Sequence, residues 1–125
     1  MSKELIVEKC EKCGAVVKVL KECKCACGIQ CCGEKMKVLE PNSVDATVEK
    51  HVPTYEVKDG KIYAKVNHVM EDDHYIEWIS FVFEDKEVTT YFEPGEEPTA
   101  HCKYVPGSTI YAYCNKHSLW KIDVK

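Results

Sequence analysis

Three features of this 125-residue chain point to an all-β protein, an antiparallel β-sandwich preceded by a small metal-stapled module. Beyond residue 50, short apolar runs alternate with turn signals, Asp59-Gly60, Pro94-Gly95 and Pro106-Gly107. That half has no sustained 3.6-residue apolar period with caps, so helix is minor. Before it, seven of the nine cysteines crowd into residues 1–38, a density that small segments reach when a metal or disulfides hold them together.

Taken in order, residues 5–7 and 15–20 read as short strands between cysteine clusters, in a module too small for an apolar core of its own. Pro41-Asn42-Ser43 marks a linker, and we divide the chain into a cysteine-rich metal-binding domain, 1–38, and a β-sandwich domain, 39–125. The second domain is expected to hold strands at 51–57, 61–66, 75–83, 87–92, 100–105, 109–114 and 119–124. About seven short strands in ~85 residues fit a sandwich. Residues 75–83, Tyr-Ile-Glu-Trp-Ile-Ser-Phe-Val-Phe, are largely apolar at both parities, which suits a strand at the sheet centre buried on both sides. Trp78 and Trp120 read as core, and His101 and Cys102 as structural.

Net charge is −4, and all 17 basic residues are Lys; without Arg the chain lacks the bidentate fork that dominates phosphate and guanine recognition, and nucleic-acid binding is disfavoured. No run approaches the ~20 apolar residues of a membrane span, and residues 1–8 lack the apolar centre of a signal peptide. The expected location is cytoplasmic. Thiols stay reduced there, and an odd cysteine count fits a closed disulfide set poorly, so metal is favoured over disulfide.

Cys10-x-x-Cys13-Gly14 and Cys31-Cys32-Gly33 are the expected halves of a four-thiolate site, each with a glycine that permits a tight turn behind the ligands. Zinc and iron share this geometry. Cys23, Cys25 and Cys27 compete for the same places. Adjacent cysteines reach one metal only through a strained turn, so Cys27 in place of Cys31 or Cys32 stays open.

A second set gathers at the ends of expected strands, where loops assemble sites. His51 begins one, His68 and His74 bracket an acidic loop, and Cys114 and His117 close another. Four imidazoles and a thiolate exceed the closed tetrahedron of structural zinc and imply a square-pyramidal or octahedral ion, for which iron is the natural occupant. A sixth place is then free for a small ligand, and the thiolate would donate electron density to the iron.

Glu49-Lys50-His51-Val52-Pro53, His68-x5-His74-Tyr75-Ile76-Glu77-Trp78-Ile79 and Tyr113-Cys114-Asn115-x-His117-x-x-Trp120 resemble the superoxide reductase family over residues ~45–125. With Cys10-x-x-Cys13 and Cys31-Cys32 included, the whole chain resembles its two-iron desulfoferrodoxin form, with a desulforedoxin-like module in front. The resemblance implies an immunoglobulin-like sandwich in a homodimer, with iron held equatorially by His51, His68, His74 and His117 and axially by Cys114. A second iron, or zinc, would sit at the four-cysteine site. It further implies one-electron reduction of superoxide to hydrogen peroxide, fed by an electron donor such as rubredoxin or a reductase. Glu49 is expected to cap the oxidised iron, and Lys50 to attract the anion and help deliver protons. The chain departs from the family pattern at Cys23 to Cys27, and at Ser118, where a glycine commonly follows the last histidine ligand. A rival reading is an iron protein that only transfers electrons. A zinc-ribbon interaction module, resting on the N-terminal cysteines alone, would leave four histidines unexplained.

Overall fold

A computed structural model describes residues 4–43 and 51–125. The chain forms two compact units, Glu4–Glu40 and Pro41–Lys125, and no helix occurs among the described residues.

In the first unit, β1 (Val7–Lys9) pairs antiparallel with β2 (Val16–Lys18) on one side and β5 (Lys37–Val38) on the other. Two-residue strands β3 (Gln30–Cys31) and β4 (Glu34–Lys35) form a separate hairpin. Its loop is Cys32-Gly33, with φ of +53° and +77°. Positive φ at both central positions defines the type I′ turn, whose twist matches that of the flanking strands. Leu5, Val7, Val19, Met36 and Leu39 are buried, so the module holds some buried apolar side chains of its own, contrary to the expectation from its size. The sequence missed β3, β4 and β5, because two-residue strands are too short to carry an alternation signal.

The second unit is the expected immunoglobulin-like antiparallel sandwich. One sheet has the order β10-β7-β6, from β6 (Thr54–Lys58), β7 (Lys61–Lys65) and β10 (Thr99–Lys103). The other has the order β12-β11-β8-β9, from β8 (Ile76–Phe83), β9 (Lys86–Tyr91), β11 (Thr109–Cys114) and β12 (Ser118–Asp123). All seven expected strands are present, with ends shifted by up to three residues; His51 lies in the turn before β6 and not on the strand.

Strand period two decides what each face does. Ile79, Phe81 and Phe83 of β8 and Ile110, Ala112 and Cys114 of β11 turn inward to meet Ile62, Ala64 and Ala100 of the other sheet. The opposite parity of the four-stranded sheet carries Trp78 stacked on Tyr113, at 5.8 Å between ring centroids, and a Ser80–Thr89 hydroxyl hydrogen bond of 2.8 Å. Hence β8 reads as apolar on both sides. Its place between β11 and β9 confirms the central position expected of it. The inner face of β11 ends at Cys114, so the core packing that fixes this strand also fixes the thiol.

Candidate metal centres

Three loops at one end of the sandwich bring His51, His68, His74, Cys114 and His117 together, with one ligand atom from each, all within 4.8 Å of one another. Cys114 is fully buried at the last position of β11, where a register shift between Tyr113 and Cys114 turns the chain off its ladder with β8. A three-residue turn then presents His117, and Ser118 re-enters the hairpin opposite Cys114 at φ +70°. That is the left-handed region, which glycine occupies freely and serine only at a cost. Serine in place of the glycine expected here from the resemblance therefore carries backbone strain, while His117 still reaches the group.

His68 and His74 lie on the loop between β7 and β8, which is closed on itself by Glu71 and His74: each amide donates to the other's carbonyl, at 3.0 and 3.3 Å. Asn115, between two ligands in sequence, clamps this loop. Its side-chain amide donates to the Asp73 carbonyl at 2.9 Å, and its side-chain oxygen accepts from the Tyr75 amide at 3.0 Å. Lys116 adds an exposed ion pair to Asp73 at 3.8 Å. His51 is buried against Trp120, with ring centroids 5.0 Å apart, and the Trp120 indole N–H donates to the His117 carbonyl at 2.8 Å. Trp120 is therefore core, as the sequence suggested, and also a wall of the site. The roles of Trp120 and Asn115 were not legible in the sequence, since neither is a ligand; their only signal was proximity to Cys114 and His117 in the motif.

The spacing and chemistry of the donor atoms fit a cation. His51 Nε2 and His117 Nδ1 stand 3.0 Å apart, the separation of about 3.0 Å expected for two nitrogens bound at right angles, each ~2.1 Å from one ion. Cys114 Sγ lies 3.4 Å from His68 Nε2 and 3.9 Å from His117 Nδ1. The Nδ1–H of His68 donates to the Val69 carbonyl, which leaves its Nε2 lone pair toward the centre, an arrangement common among metal-binding histidines. Among the described residues His74 Nε2 is buried with no hydrogen-bond partner. A buried imidazole nitrogen left unpaired costs about 1–3 kcal/mol, and a cation at this spot satisfies it. Burial holds the His68 and His74 imidazoles below their ordinary pKa, in the neutral form a metal needs. Burial also pushes the Cys114 thiol up, so the buried thiolate needs a positive charge beside it. The residues fit a five-donor metal ion.

In the first unit, Cys10, Cys13, Cys31 and Cys32 place four sulfurs within the same 4.8 Å limit. Cys13 Sγ is 3.6 Å from Cys31 Sγ, which is 3.9 Å from Cys32 Sγ. Four sulfurs at ~2.3 Å around a tetrahedral ion stand about 3.8 Å apart, so these spacings match one ion. The left-handed Cys32 is the strained turn that adjacent cysteines need to face one centre. The Cys13 amide, donating to Cys10 Sγ at 3.5 Å, pulls the Cys10 thiol down to about 7, whereas hydrogen bonding with Cys13 pushes Cys31 up to about 12. Only a central cation lets all four be thiolates together. Cys27, the open alternative, stands outside the group and is bonded to Cys25. His101 and Cys102 also stand outside both groups.

Glu49 and Lys50, expected beside His51, lie outside the described residues.

The family model described as Desulfoferrodoxin matches residues 43–123. The desulfoferrodoxin of Syntrophotalea carbinolica is 40% identical over 127 residues, covering 98% of this chain and 99% of its own. That of Desulfarculus baarsii is 40% identical over 131 residues, with the same two coverages. Among solved structures, the superoxide reductase from Treponema pallidum shares the fold at a TM-score of 0.70 and 22% identity, over 96% of this chain and 99% of that one. A family match across most of the second unit, and relatives that run the length of both units, establish that the chain belongs to the desulfoferrodoxin family.

Proposed function

We propose that the protein is a superoxide reductase, carrying out O2•− + e− + 2H+ → H2O2 at the centre formed by His51, His68, His74, His117 and Cys114. The observation that carries this reading is that five donors converge on one partly buried point, one fewer than an octahedral ion takes. The family's relatives, bearing the desulfoferrodoxin name, support it. An iron bound there would supply a single electron and an open place for a small anion.

The chain's own residues supply the rest. With four neutral imidazoles as donors, only the Cys114 thiolate would offset the charge of a bound ion, which would leave the site attractive to an anion. Trp120 and the Val69 carbonyl hold His51 and His68 in place before any ligand arrives, so little reorganisation accompanies reaction. Lys50, which directly precedes His51 in the chain, is assigned to steer the anion and to help deliver protons. Glu49 is assigned to occupy the open place in the oxidised resting state. The Glu4–Glu40 unit is read as the desulforedoxin-like module holding the second metal at Cys10, Cys13, Cys31 and Cys32, iron in the first instance and zinc as the alternative.

Three assignments rest on chemistry shared with the family: a homodimer, an electron donor such as rubredoxin or a reductase, and a cytoplasmic location. The last is supported by the five cysteines gathered in the two metal centres, since metal-binding cysteines are the pattern of a reducing compartment. No helix among the described residues is long and apolar enough to cross a membrane. Sedimentation equilibrium tests the dimer, and a monomer would remove it. Reduction of the iron-loaded protein by candidate donors, followed optically, tests the donor class; cell fractionation tests the location, and recovery in the periplasm would refute it.

The decisive experiment adds superoxide to the reduced, iron-loaded protein and measures products. One peroxide per superoxide, with no dioxygen, is expected. Dioxygen release would mean dismutation, and no consumption would mean an electron-transfer protein. Cys114→Ser is expected to remove the visible ferric-thiolate band and most activity, while the first unit keeps its own spectrum. A lysine ~6 Å from the incoming anion at an effective dielectric of ~40 contributes about 1.4 kcal/mol, so Lys50→Ala is expected to slow the second-order step roughly tenfold and weaken its salt dependence. Glu49→Ala is expected to change the ferric spectrum and leave that rate nearly unchanged. An unchanged rate and salt slope in Lys50→Ala would refute the steering role.

A further inference from the structure

The loop between β2 and β3 carries three cysteines that neither metal centre uses. Cys23, Cys25 and Cys27 are all exposed, and all three stand outside the four-sulfur group. Cys25 and Cys27 are joined by a disulfide across a single residue, and Cys23 is a free thiol. We propose that this loop is a two-electron thiol–disulfide exchange site, in which Cys25 and Cys27 form the redox pair and Cys23 is the accessory thiol, with dithiols and small disulfides as its partners.

This disulfide does little for the fold. A bridge closing so short a loop constrains the unfolded chain less than any longer one, so it adds little to stability. Nor is it packed: both sulfurs belong to exposed residues, which is where labile and catalytic disulfides occur. The backbone keeps the pair together by other means, since the Gly28 amide donates to the Cys25 carbonyl at 3.1 Å and closes a turn around Cys25-Ala26-Cys27. The two sulfurs therefore remain neighbours after reduction, ready to close again.

The two ends are not equivalent. The Cys27 amide donates to Cys25 Sγ at 3.4 Å, so a thiolate is better stabilised on Cys25, which makes Cys25 the better leaving group. Attack by an external thiolate on Cys27 Sγ breaks the Cys25–Cys27 bond and sends the electron pair to Cys25 Sγ, which then takes a proton. The mixed disulfide on Cys27 is resolved when the second thiol of the incoming dithiol attacks its own bridged sulfur and displaces the Cys27 thiolate, which takes the second proton. The loop has gained two electrons and two protons, and the dithiol has become a disulfide. A small disulfide runs the sequence backward. Cys23 Sγ sits 3.8 Å from the Cys25 carbonyl and has the same spacing from Cys25 as Cys27 has, so it can take over as partner of Cys25.

The test uses the full-length, metal-loaded protein equilibrated in glutathione buffers of graded ratio. Exposed thiols are then alkylated, and the peptide between Glu22 and Glu34 is mapped by mass. Cys25 and Cys27 are expected to switch together with two-electron dependence while the metal content of both centres stays constant. Cys102, whose thiol burial pushes up to about 11, serves as the unreactive reference. Cys25→Ser is expected to trap glutathione on Cys27. Cys27→Ser is expected to lose the exchange of the native Cys25–Cys27 pair, and Cys23→Ser to keep it. Two results would overturn the proposal: a Cys25–Cys27 bond that persists in excess dithiothreitol under native conditions, or two thiols that stay alkylatable in excess oxidised glutathione. Protection of all three cysteines by added Zn2+ or Cu+, with no bond formed in its absence, would make the loop a metal-thiolate site instead.

Discussion

Asn115 binds no ion, yet it ties together the two chain segments that carry most of the ligands of the second centre. Its side chain spans from the turn holding Cys114 and His117 to Asp73 and Tyr75 on either side of His74. Removing both hydrogen bonds costs about 1–3 kcal/mol, and the loosened loop must then be ordered when metal binds. Asn115→Ala is accordingly expected to lower the denaturation midpoint of the metal-free protein and to speed iron loss to a chelator, while the ferric spectrum of the loaded protein stays near native. Iron release at the native rate would show that the loop is held by its own Glu71–His74 bridge instead. Such a residue is hard to find from sequence because an asparagine between two ligands looks like an ordinary turn former. The ligands themselves were legible because nitrogen and sulfur donors at strand ends have few other reasons to gather.

The seven sandwich strands were legible for a comparable reason: each is long enough to show alternation or a buried run, and turn residues separate them. The first unit was read less fully. Its order comes from turns, sulfurs and a few buried apolar side chains, and the β3–β4 pair exists because its two-residue turn brings those strands side by side. The β11–β12 hairpin shows what turn chemistry costs. Ser118 holds φ +70° in a position that glycine would occupy without steric penalty. Relief of roughly 1–2 kcal/mol of left-handed strain, less the ~0.5–1 kcal/mol of entropy that a glycine loses on folding, leaves a net gain of about 0.5–1 kcal/mol for Ser118→Gly. Urea denaturation of the two proteins is the measurement. A destabilised variant would mean that the Ser118 side chain does more for the hairpin than its backbone costs.

Across the whole molecule, the buried donors set how the metal-free protein responds to pH. His68 and His74 titrate below their ordinary value of 6.5 when folded, because burial disfavours the imidazolium. Between the folded and unfolded values the unfolded chain binds more protons, so stability is present above pH 6.5 and is lost as pH falls. For Cys114, burial raises the folded value above 9.0, so its contribution is present below pH 9 and is lost as pH rises. Through these three groups the metal-free second unit should be most stable between about pH 6.5 and 9, with decline on both sides. Denaturation curves across pH 5 to 10 check this, and a flat profile below pH 6.5 would show that the imidazoles are not desolvated. The acid limb matters doubly with metal present, since protons and the ion compete for the same nitrogens.

His51 and His117 are 66 residues apart in the chain, whereas Cys13 and Cys31 are separated by 18. The first pair meets only when the sandwich has closed, after the long-range strand pairings that make such folds slow to form. The second pair needs only a short loop to close, at a lower entropic cost. The two metals therefore enter folding at different times. The four-cysteine centre can capture its ion while the rest of the chain is still open, and the five-donor centre receives its ion as a late lock. An interaction absent from the transition state slows unfolding and leaves the folding rate alone. In stopped-flow measurements iron at the five-donor centre should lengthen the native lifetime of the sandwich without hastening its formation, and a faster folding limb would mean that the ligands meet early.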